Sequence, residues 1–76
     1  MDNLELQRKR LDLMKEQLDQ LTVMAGRSFD LQMKSLACGA HSSEENEREY
    51  RKASSAFMDS VDEMRKLIVK GYDYDY

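Results

Sequence analysis

The chain has 76 residues and 8.9 kDa, with 41% hydrophobic and 36% charged side chains, one Cys, no Pro and no Trp. That length holds one domain at most, and the composition excludes collagen, a Pro-rich linker and a disulfide scaffold. Twelve basic and fifteen acidic residues leave a net charge of −3, so no overall basic field draws in nucleic acid.

From the N-terminus, Met1-Asp2-Asn3-Leu4-Glu5 lacks the basic and apolar regions of a secretion signal. No apolar run approaches the ~18 residues of a membrane span, and Cys38 has no second cysteine to pair with. These features predict a cytoplasmic chain that does not insert into membranes. Asp2, with Glu5 three residues later, opens a first helix expected over about residues 3–37. Gly26 lies inside it at a cost of ~1 kcal/mol relative to Ala. The segment 38–42 reads as a turn, with Gly39 as the helix stop and Ser42 and Ser43 available as caps. A second helix follows over about 43–70. Acids Glu44, Glu45, Glu47 and Glu49 crowd its start, and Arg65, Lys66 and Lys70 its end, as the helix dipole favours. Two such helices and a short turn predict an all-α, antiparallel two-helix hairpin over residues 1–70. The tail 71–76, Gly-Tyr-Asp-Tyr-Asp-Tyr, has no helical period and is expected to be frayed and disordered.

At 100° per residue from Leu4, the first helix carries two apolar sets. Leu4, Leu11, Met14, Leu18, Leu21, Ala25, Phe29, Met33 and Leu36 form a long stripe between about 260° and 20°. Leu6, Leu13, Met24 and Leu31 fall near 180–200°, roughly, with Gln17 and Gln20 filling the gap between them. The charged residues occupy the remaining arc, with Arg10, at about 240°, the one exception. The second helix has one stripe, Tyr50, Ala53, Phe57, Val61, Met64 and Ile68. Folding the hairpin near residue 41 makes partner numbers add to about 82, which sets Phe57 against Ala25 and Gly26, Ala53 against Phe29, and Ile68 against Met14. One helix covers about 100° of arc, so it shields one set and leaves the other. Which of the two sets packs on the second helix is left open by the sequence; with the long stripe as the seam, Leu6, Leu13, Met24 and Leu31 are the expected partner-binding residues.

No catalytic, cofactor or metal site is expected. Cys38 and His41 supply two ligands where a structural zinc site needs four, and as a thiol–imidazole pair they lack an orienting third group. The six methionines are mostly core filler in this reading, with Met24 the likelier contact.

The hairpin length, the Leu-rich period of the first helix, the Gly-containing turn and the positions Tyr50, Ala53, Ala56, Met64, Leu67 and Ile68 resemble the small YscE/EscE-type co-chaperones of type III secretion needle subunits. That resemblance spans roughly residues 4–70. It implies a cytoplasmic bacterial protein, connected with virulence, that binds a helical-repeat co-chaperone and helps keep the needle subunit unpolymerised. The alternative is a homodimeric four-helix bundle acting as a regulator or adaptor. A nucleic-acid adaptor is disfavoured because Arg8, Lys9, Lys15, Arg27 and Lys34 share their arc with Glu5, Asp12, Glu16, Asp19 and Asp30.

Overall fold

A computed structural model describes residues 2–73 and contains two helices, α1 (Asn3–Ala40) and α2 (Glu44–Tyr72). They pack against one another along their length as an all-α hairpin with extents of 58 × 15 × 13 Å. Each helix starts where its cap chemistry allows. Asp2 is the N-cap of α1, its Oδ1 accepting the Glu5 backbone N–H at 2.8 Å. At α2 the cap is Ser43 rather than Ser42, with Oγ accepting the Asn46 N–H at 3.1 Å. Glu44, Glu45 and Glu47 then occupy the first turn, at the positive end of the helix.

The turn is shorter than the expected 38–42 and lies three residues later, at its start. α1 runs through Gly39 to Ala40, and the His41 N–H closes it on the Ala37 carbonyl at 2.9 Å. No residue in the described chain takes a positive φ, so Gly39 serves as an ordinary helical residue and not as a left-handed stop. Asn46 completes the corner. Its Nδ2 donates to the His41 carbonyl at 2.6 Å and to the Ala37 carbonyl at 3.5 Å, tying the end of α1 to the first turn of α2. A helix terminus leaves its last carbonyls without intrahelical donors, and this side chain supplies one. At the other end the sequence offers Gly71 as a helix stop, but α2 continues through it to Tyr72. The rest of the expected tail, 74–76, lies outside the described residues.

Register and face have separate outcomes. Gln17 meets Leu67, Gln20 meets Ser60, Arg27 meets Ala56 and Asn46 meets Ala37, so facing positions do add to about 82. The face is the other one. Leu13 is buried at 6% exposure, and Leu6, Met24 and Leu31 are half-buried. Leu13 packs against Gly71 of α2, and Met24 and Leu31 lie on the same face of α1, whereas the register sets Leu6 opposite positions beyond the end of α2. Ala25 and Phe29 are exposed instead, and a Cβ at Gly26 would meet nothing within 4 Å. The expected pairing of Phe57 with Ala25 and of Ala53 with Phe29 is therefore replaced.

Small side chains on α2 explain the choice. Ala53 is 5% exposed and Ser60 is fully enclosed, with Ala56 and Gly71 on the same side. These small residues let the helices approach closely. A Cβ on Gly71 would lie 3.4 Å from a Leu13 methyl. The Ser60 hydroxyl is satisfied within its own helix, donating to the Phe57 carbonyl at 2.6 Å. Gln17 and Gln20 reach across as donors, Nε2 to the Leu67 carbonyl at 3.2 Å and to the Ser60 carbonyl at 2.9 Å. Relative to the expected stripe, the inward face of α2 is turned so that Tyr50 and Ile68 reach the surface while Ser60 and Leu67 point in.

Candidate functional site

Because α2 covers the Leu6–Leu31 set, the long stripe of α1 is left in water. Leu4, Leu11, Met14, Leu18, Leu21, Phe29, Met33 and Leu36 keep between 47% and 67% of their surface exposed. The stripe runs from Leu4 to Leu36, about 48 Å of helix. A contiguous apolar surface of that size marks a binding face far more often than an ordinary solvated one. Of the four residues expected to bind a partner, Leu13, Met24 and Leu31 thus face into the hairpin, and the free face is the one expected to be the core. The correction has a physical cause. Summed hydrophobicity favours burying the long stripe, whereas close helix approach and amide–carbonyl bonding favour the other set. The second pair of terms decides the seam.

The long stripe has a distinct edge. At the open end of the hairpin, Met14 shares a groove of about 290 Å³ with Ile68, Tyr72, Leu13, Gln17, Gly71 and Arg10. That groove extends the apolar face from α1 onto α2. The charged positions lie elsewhere: Lys70 Nζ approaches Glu16 at 3.8 Å, and Arg27 Nη1 donates to the Ala56 carbonyl at 2.8 Å. The other ion pairs run along α2 between positions three or four apart and are largely exposed, so they contribute little to stability. The face is therefore apolar and elongated, with Arg10 at the rim of its groove.

Its heptad character is local. Leu11, Met14, Leu18, Leu21 and Ala25 follow intervals of three and four, the spacing of a helix that pairs with another helix. Phe29, Met33 and Leu36 continue the stripe after a four-residue step. The periodicity shows this stripe but leaves open which of the two sets α2 covers. The signal that could have decided it is the small-residue line Ala53, Ala56 and Ser60 on α2, with two amide side chains opposite.

Cys38 is half-buried and His41 is exposed in the turn. Among the described residues, no group of three or more His, Cys, Asp or Glu side chains is arranged to hold a metal ion. No helix among them is long and apolar enough to cross a membrane. Comparison with protein-family models, with curated proteins and with solved structures returns no match.

Proposed function

We propose that this chain is a non-enzymatic binding protein whose α1 stripe lies along an apolar surface of a helical protein partner. One observation carries the reading: the large side chains on the more hydrophobic of the two faces of α1 keep 47–67% of their surface exposed. Helix-on-groove docking uses anchors at intervals of three and four, the spacing Leu11, Met14, Leu18 and Leu21 provide. Burial of such a face also answers the instability of a small two-helix unit, since chains this short need a staple or an association.

The resemblance to YscE/EscE-type co-chaperones supplies the finer proposal. In it, the hairpin stabilises a helical-repeat co-chaperone in the bacterial cytoplasm, and the pair holds a type III secretion needle subunit in an unpolymerised state. The contact residues are those of the exposed stripe, centred on Leu18, and not Leu6, Leu13, Met24 and Leu31. Co-expression with a helical-repeat partner and its needle subunit tests this. Leu18→Asp should abolish the complex while leaving the helical circular dichroism of the hairpin intact. Undiminished complex formation by that variant would reject the stripe as the docking face.

A further inference from the structure

Resting on the reading of the α1 stripe as the binding face, we infer that a second copy of this chain covers the stripe when no other partner is present. The two α1 helices run antiparallel about a two-fold axis near residue 20. The stripe is close to self-complementary in that arrangement. Pairing positions whose numbers add to about 40 sets Leu11 against Phe29, Met14 against Ala25 and Leu18 against Leu21. Met14 meets the small Ala25, and the layers on either side pair a leucine with Phe29 and with Leu21. On the flank of the stripe, Arg8 of each copy comes opposite Asp30 of the other, giving two opposite-charge pairs, while the same register sets Asp19 against Asp19 at the axis.

Area points the same way. The eight exposed side chains present on the order of 900 Å² per copy, and covering two thirds of that on both copies removes about 1,200 Å², the lower end for a specific interface. A parallel, in-register arrangement would put Phe29 against Phe29 and Ala25 against Ala25, and would set every flanking charge, Arg8 and Asp30 included, against its own copy. The dimer and the heterocomplex use one surface, so each excludes the other. Partner binding then follows dissociation of the pair and weakens as the concentration of the hairpin rises.

Sedimentation equilibrium on the full chain, with pulsed dipolar distances between spin labels, tests the inference. In a Cys38→Ser background, a label at Thr22 should give an interchain distance under about 20 Å, and a label at Glu5 one of roughly 45 Å. Leu18→Asp should weaken self-association by at least about a hundredfold without loss of helix content. Arg8→Glu should weaken it several-fold, and adding Asp30→Arg to the same chain should restore it. Short distances at both labels, or a dimer indifferent to Leu18→Asp, would overturn the antiparallel stripe pairing. A chain that stays monomeric yet loses its helical partner through Leu18→Asp would overturn the dimer alone. Stripe variants that change neither association would overturn the binding face as well.

Discussion

Truncating Leu13 and truncating Leu18 to alanine should have opposite consequences for the lone hairpin. Leu13 keeps 6% of its surface exposed and packs against Gly71, whereas Leu18 keeps 62%. Removing a buried Leu side chain loses its transfer energy and leaves a cavity that the helices only partly close. For Leu13→Ala this amounts to about 2–4 kcal/mol. In a domain of this size each kcal/mol moves the midpoint by roughly 4–8 °C, so the melt should fall by at least about 8 °C. Leu18→Ala loses little burial and gains slightly in helix propensity, so its change should stay within about 0.5 kcal/mol. Circular dichroism melts on both variants make the comparison, at a concentration low enough that self-association does not contribute. Equal losses at the two sites, or a larger loss at Leu18, would refute the assignment of the seam to the Leu6–Leu31 face.

Other substitutions probe separate parts of the same geometry. Gly26→Ala should stabilise the hairpin by about 1 kcal/mol, because Gly26 is mid-helix and the added methyl meets nothing within 4 Å; a denaturant midpoint measures it. Ser60→Leu should destabilise by about 1–3 kcal/mol, since a fully enclosed Ser at a close helix crossing has no room for the added volume; a urea titration reads this. Ser43→Ala should cost about 1 kcal/mol through loss of the bond to the Asn46 N–H, whereas Ser42→Ala should be near neutral, again by denaturant midpoint. Lys70→Ala should change stability by less than about 1 kcal/mol, because its contact with Glu16 is half-exposed, and thermal melts at two salt concentrations would show it.

How far the residues revealed this fold in advance varies with the kind of information involved. Helix position was legible because it rests on local chemistry: Asp2 before the apolar period of α1, and the acid cluster at the start of α2. Register was legible too, since a short turn leaves little choice of partner for each position. Which face of α1 turns inward was not, because that depends on the opposing surface. Leu4 through Leu36 make the stronger apolar stripe, yet Ala53, Ala56, Ser60 and Gly71 offer a close fit only to the set containing Leu13. Gln17 and Gln20 looked like interruptions of that set, and in place they donate to carbonyls of α2. The end of α1 was misplaced for a similar reason. Gly39 signals a stop, but with Asn46 bonding the final carbonyls the helix gains another turn.

The same competition decides the candidate binding face. An excess of apolar perimeter on α1 could be read from the periodicity, but its location follows from the seam, and so Leu6, Leu13, Met24 and Leu31 exchange roles with the long stripe. What would bind was legible only through resemblance, since an elongated apolar face with heptad spacing specifies a helical surface and not its owner.

Nuclear Overhauser contacts in the dilute, uniformly labelled chain test the central claim most directly. Methyl signals of Leu13 should show cross-peaks to the Gly71 α-protons, and the ring of Phe29 should show none to the Ala53 methyl. Cross-peaks between Phe29 and Ala53, with Leu13 silent toward α2, would put the long stripe inside the hairpin and contradict the account.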